Sequence, residues 1–352
     1  MRRLILLLLS TILIAGVRAQ EKHVFPANIL TNAIVDDSQN PVRHVTLELL
    51  NSGEGREAIA EYHRLRASGA LPYAQKGGSF DIGETRIFSM RDLSSENPRY
   101  EDSEFTKVAE HPRFNIWVQT AELDNGHIRE QDVASMRLRL ADETLADSYD
   151  PGRGIVEINT EVFGPSPDVD GDGILDVLVA DILDGYDPVT DSGGLILGFF
   201  DPANLSGRNM AHINYMDSFP GIVDPNGNRS RFDPPEQTLA HEFQHLIFAK
   251  ENGFGDLSFV NEGLSEWAEV VNGYTARSVF YFQEPVERAH ELLDFRENFG
   301  GPFGYDYQRA GLFTNYISEI IGVLKTGAIS RASGVGAYGY FEVLDELNLT
   351  LQ

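Results

Sequence analysis

Two stretches of the chain carry residue types that can hold a metal ion and work on water. The first is His241-Glu242-Phe243-Gln244-His245, and the second is Asn261-Glu262-Gly263-Leu264-Ser265-Glu266-Trp267. Residues four apart on a helix lie on one face, about one turn apart, so His241 and His245 can aim ring nitrogens at one ion. Glu242, beside His241, then reaches a water next to the ion rather than the ion itself. Zinc accepts nitrogen and oxygen ligands tetrahedrally and, where it works on a substrate, keeps one position for water. Two histidines and one carboxylate leave that position open.

A third histidine on the same helix would need the spacing HExxHxxGxxH. Phe248 and Glu251 stand where the glycine and the histidine would be, which closes that route. A carboxylate from a following helix remains. Glu262 and Glu266 are four apart and share a face. We assign Glu262 as the ligand and Glu266 as the acceptor of a histidine N–H, the partner that metal-bound histidines usually have. Exchange of these two roles is the alternative.

Two helices must present these groups. Asp233-Pro234-Pro235-Glu236 reads as a helix start, with Asp233 as cap, prolines in the first turn and Glu236 three residues on. The helix should run to about Glu251 and stop at Asn252-Gly253, with Leu239, Phe243, Leu246 and Ile247 as apolar faces. A second helix is expected from about Val260 to Asn272, stopped by Gly273. Upstream, Phe114, Ile116 and Val118 alternate as in a half-buried strand, as do Val156 and Ile158. Ile174–Ile182, Leu195–Phe200 and Met210–Met216 read as further strands of one sheet. An extended peptide substrate is commonly held against a sheet edge. Met210–Met216 is the candidate edge, with His212 and Asn214 on one face and His212 read as a cleft-wall or solvent residue. Helical patterns return at Val286–Asn298, where His290 reads as surface, and at Ala310–Ile321 and Tyr338–Leu347. Residues 20–105 are weakly patterned. One helix is expected over Thr46–Arg66, interrupted by Gly53 and Gly55, then a strand through Thr85–Met90 and a linker over Asp92–Glu104.

The pair HEFQH and NEGLSEW resembles the gluzincin clan of zinc peptidases, and more closely the hyicolysin-like secreted metallopeptidases. The stretches DVDGDGILDVLVADI, GLILGFFDP and MAHINYMDSFPG resemble their strand-rich lead-in, and YDYQRAGLFTNYI their tyrosine-bearing helix start. The resemblance covers about residues 110–350. It implies zinc held by His241, His245 and Glu262, with Glu242 as the catalytic glutamate. It also implies Tyr307, or its neighbour Tyr305, as a donor to the oxyanion; a tyrosine packed beneath the cleft is the alternative. The implied fold is α+β: a thermolysin-like zincin domain with a mixed-sheet lobe over about 106–253 bearing the HExxH helix, and a mainly helical lobe over about 254–352. Sixteen residues separate His245 from Glu262, slightly fewer than in thermolysin, so the helices should be more tightly connected.

Asp168, Asp170, Asp172 and Asp176 form a D-x-D-x-D-G-x-x-D run, a shortened candidate calcium loop; Val179 stands where a full loop needs its bidentate glutamate. A solvated Asp/Gly turn is the alternative. Asn204-Leu205-Ser206 matches a glycosylation acceptor. Arg2 and Arg3 followed by the apolar run Leu4–Val17 read as a leader over residues 1–19, cleaved after Val17-Arg18-Ala19, so an exported protein is expected. Residues 20–105 are a candidate propeptide over the cleft. The chain has no cysteine, which excludes thiolate zinc ligands and a cysteine nucleophile. With 28 basic and 54 acidic residues the net charge is −26, and loss of the leader removes three more positive charges. Such a surface repels nucleic acid and anionic membranes, leaving a protein or peptide as the expected partner. Two rivals stand beside an endopeptidase. One is an aminopeptidase, for which no GxMxN-type segment precedes the zinc helix; the other is a binding protein in which both metal loops are structural.

Overall fold

The structure is a computed structural model describing residues 42–71, 80–95, 99–252, 258–275, 305–332 and 338–346. Six strands form one mixed sheet in the order β1-β2-β3-β4-β6-β5. They are β1 (Thr85–Asp92), β2 (Arg99–His111), β3 (Phe114–Gln119), β4 (Leu175–Ala180), β5 (Gly198–Phe199) and β6 (Ile213–Asp217). β1, β2 and β3 pair antiparallel, β3, β4 and β6 parallel, and β5 antiparallel to β6. The helices are α1 (Thr46–Asn51), α2 (Gly53–Ser68), α3 (Thr120–Asp124), α4 (Glu130–Ala141), α5 (Ile155–Phe163), α6 (Pro235–Glu251), α7 (Ser258–Val271), α8 (Tyr305–Ile321), α9 (Val323–Gly327) and α10 (Tyr338–Glu346). The chain is thus α+β with a mixed sheet.

Successive side chains of a strand point to opposite faces, and here both faces are covered. Ile116, Val118, Val177, Val179 and Met216 join a cluster with Leu239, Phe243, Leu246 and Trp267 of the helical layer. Trp117, Leu178, Ala180, Ile213 and Tyr215 join a second cluster with Phe88, Phe105 and Ile196. Helix α6 packs on β6, α5 and α7. α7 and α8 approach closely because a Cβ on Gly263 would lie 2.6 Å from Thr314 Oγ1, and one on Gly311 2.7 Å from the Glu266 Cβ. That contact carries the start of α8, with Tyr307, toward the metal-ligand groups.

Several expectations are corrected. Val156 and Ile158 lie in α5, not in a strand: Ile155, Val156, Ile158, Asn159 and Val162 are all buried, which is helical spacing. The expected linker contains the first half of β2, which pairs with β1 from Asp92↔Arg99 to Thr85↔Thr106. Residue 105 therefore lies inside a strand of the sheet, so a removable segment ending there would take β1 and half of β2 with it. The strand β6 is flanked by β4 and β5, so it is not an edge; β5 is. Asn204 is buried in a 3-10 turn, its amide donating to Tyr215 Oη (3.1 Å) and its Oδ1 accepting from Asn209 (2.8 Å), a poor glycan acceptor. The leader, the Val286–Asn298 pattern and His290 lie outside the described residues. Among the described residues, no helix is long and apolar enough to cross a membrane.

Helix α7 is closed by a glycine. Gly273 follows it at φ +89°, and a Cβ there would lie 2.8 Å from both Leu145 Cβ and Ser148 N. Gly273→Ala is expected to destabilise the chain by about 1–3 kcal/mol, because a left-handed backbone and a close approach are violated together. Urea unfolding of the variant beside the native chain measures this.

Candidate active site

Helix α6 places His241 and His245 one turn apart with Glu242 alongside, and α7 lies across them. His241 Nε2 is 3.2 Å and His245 Nε2 3.5 Å from Glu262 Oε2. All three side chains are buried, and among the described residues neither Nε2 nor either Glu262 oxygen has a hydrogen-bond partner. Buried polar atoms are normally satisfied, so four orphans on three neighbouring side chains ask for a ligand. Zinc bonds of 2.0–2.1 Å in a tetrahedron set neighbouring ligand atoms about 3.3 Å apart, and the two distances match. The residues therefore fit a zinc ion with two imidazoles and one carboxylate.

The outer nitrogens are fixed by other partners. His241 Nδ1 lies 3.1 Å from Glu269 Oε1, whose other oxygen accepts from Gln237 Nε2 at 2.6 Å. His245 Nδ1 lies 3.1 Å from both Asn261 Oδ1 and Ser265 Oγ. Nδ1–H donation to these oxygens leaves Nε2 on each ring as the lone-pair nitrogen that a metal needs. Glu266, the expected acceptor, stands at 3.7 Å from His241 Nδ1, beyond hydrogen-bond distance. Glu269, one turn further along the same face of α7, is nearer, so that assignment is corrected to Glu269. The spacing Glu262, Glu266, Glu269 carried the signal.

Electrostatics agree with a cation at this point. Burial pulls the His241 imidazole down, but facing Glu262 and Glu269 outweigh it and hold its pKa well above the usual value. Burial pushes Glu262 up, and the two imidazoles overcome it, holding the carboxyl below its usual range. A pocket that draws positive charge into a buried position suits a divalent ion. Burial raises Glu242, whose Oε2 accepts from Thr46 Oγ1 at 2.7 Å. Tyr307 lies at the start of α8 with its ring stacked on His44 at 4.4 Å, and His44 is 5.6 Å from the His241 ring. Tyr307 thus reaches the group by way of His44. The Tyr305 side chain lies outside the described residues.

Glu269→Gln is expected to weaken zinc binding about 10–100-fold, the usual effect of losing an outer-shell acceptor. Glu266→Gln is expected to have the smaller effect. Competition with a chromophoric chelator measures both.

The acidic run is built differently from the expected calcium loop. Asp168, Asp170 and Asp172 converge, but with His212 rather than Asp176. Asp176 sits in β4, buried, its Oδ1 accepting from Trp117 Nε1 (2.8 Å) and Asn115 Nδ2 (3.0 Å). His212 is buried with Nε2 3.5 Å from Asp172 and 3.7 Å from Asp170, so it is neither a cleft wall nor solvent-facing. Three of the four expected aspartates thus converge, and a histidine stands in the place expected for Asp176.

No family model matches the chain. It is 24% identical over 256 residues, 67% of its length, to the neutral metalloprotease ShpI of Staphylococcus hyicus. The chain spans about half the length of that curated relative, 53%. The likeness supports a metallopeptidase relationship and no finer grouping.

Proposed function

We propose that this protein is an exported zinc metalloendopeptidase of gluzincin type. The observation that carries the reading is the convergence of His241 Nε2, His245 Nε2 and the Glu262 carboxylate, buried and unpartnered, beside Glu242. The printed name of the relative, a neutral metalloprotease, supports the same class.

His241, His245 and Glu262 hold the ion. When bound there, zinc polarises a scissile carbonyl and lowers the pKa of its water. Glu242 takes the proton from the attacking water and delivers it to the leaving amine. Burial raises the pKa of its carboxyl, which makes it a better proton acceptor than an exposed glutamate. Glu269 orients His241, and Asn261 with Ser265 orients His245, so the ligands are set before substrate arrives. Tyr307 is the donor we assign to the developing oxyanion. The partner is an extended protein or peptide, and the surplus of acidic residues disfavours nucleic acid.

The test is hydrolysis of casein by the protein before chelation, after chelation and after zinc is returned. The reading expects activity lost with the metal and restored with it, with cuts inside the chain. Activity indifferent to chelation would overturn it, and cuts confined to the amino terminus would make it an aminopeptidase.

A further inference from the structure

The parallel pairing of β4 with β6 sets the start of one strand beside the start of the other, and Asp176 N donates to His212 O at 3.0 Å. That brings the turn leading into β4 against His212. One ligand atom from each of Asp168, Asp170, Asp172 and His212 lies within 4.8 Å of the other three. Carboxylates gather in turns without any ion, so acidity alone decides nothing. Two further observations point to a ligand. The His212 side chain is only 2% exposed, yet its ring nitrogens have no close partner: Nε2 stands 3.5 Å from Asp172 and 3.7 Å from Asp170, and Nδ1 3.5 Å from Ser166 Oγ. A well-made N–H···O bond spans about 2.7–3.2 Å. Asp170 Oδ1, the atom nearest Nε2 on that residue, is itself buried and has no hydrogen-bond partner among the described residues. A buried imidazole and a buried carboxylate oxygen, held too far apart to bond well to each other, leave a place for a cation between them.

We propose that Asp168, Asp170, Asp172 and His212 form a second metal site, built for a divalent transition ion rather than for calcium. Calcium is held by oxygen ligands. Imidazole suits zinc, copper, iron and nickel, and carboxylates suit manganese as well. His212 therefore sets the choice of ion, and it comes from another strand, outside the D-x-D-x-D pattern of the turn. The site shares no residue with His241, His245 and Glu262, so it does not rest on the peptidase reading. An ion bound here ties the turn before β4 to the start of β6.

The test counts the cobalt bound by the metal-free full chain in equilibrium dialysis, with calcium present in large excess. Two ions per chain are expected for the native protein, one for His212→Asn, one for Glu262→Gln and none for the two changes together. A His212→Asn chain that binds as many ions as the native chain overturns the proposal. Cobalt held at the turn only when calcium is left out makes the turn a calcium loop and overturns it as well. One ion on the native chain and none on Glu262→Gln overturns it while leaving the peptidase centre standing. One ion on the native chain, kept by Glu262→Gln and lost by His212→Asn, supports it and counts against the peptidase centre. Should His212→Asn not fold, Asp168→Asn/Asp172→Asn takes its place, since both side chains are exposed on the turn, and the same counts decide.

Discussion

Glu242→Gln is expected to retain zinc and to lose peptide hydrolysis by about 10²–10⁴-fold, the usual contribution of a positioned general acid–base. The amide keeps the size of the side chain and an oxygen to accept the Thr46 hydroxyl at the same place. It cannot take a proton from water at neutral pH. His241, His245 and Glu262 are untouched, so metal content should be unchanged. Zinc analysis and steady-state kinetics on one preparation separate lost chemistry from lost metal. A binding protein with a structural ion would show no change in its binding.

Glu262→Gln is expected to do the reverse: to lose the zinc first and the activity with it. A neutral amide is a poor zinc ligand and removes the negative charge that faces both imidazoles at 3.2 and 3.5 Å. On the proposed reading zinc binds the native fold and not the unfolded chain, so metal at a hundredfold excess over its Kd should stabilise by about 2.7 kcal/mol. For a chain of 352 residues that corresponds to roughly 4 °C in Tm. Thermal unfolding with and without zinc should show that increment for the native chain and none for the variant. Fold damage alone would lower both curves and leave the increment in place.

What was legible in the sequence follows from the range of each signal. The α6 and α7 helices were readable from a proline-led start, apolar periodicity and a glycine stop. The structure places them at Pro235–Glu251 and Ser258–Val271, even though Pro234 rather than Asp233 precedes the first helix as its cap. Val156 and Ile158 alternate in a way that fits either period, and only the longer window shows the helix. Glu269 could have been found, since it continues the face of Glu262 by two turns. Asp176 could not be separated from its run without knowing that Trp117 and Asn115 would claim it from the neighbouring strand. Thr46 and His44 carry no local signal at all: Thr46 and Glu242 are 196 positions apart, and only the closed fold brings them together.

The most direct measurement of the central claim is an anomalous-scattering map at the zinc edge from crystals of the zinc-loaded protein. The account predicts one strong peak bonded by His241 Nε2, His245 Nε2 and the Glu262 carboxylate, with Glu269 on the far side of His241. A map with no peak there, or with its peak only among Asp168, Asp170, Asp172 and His212, would contradict it.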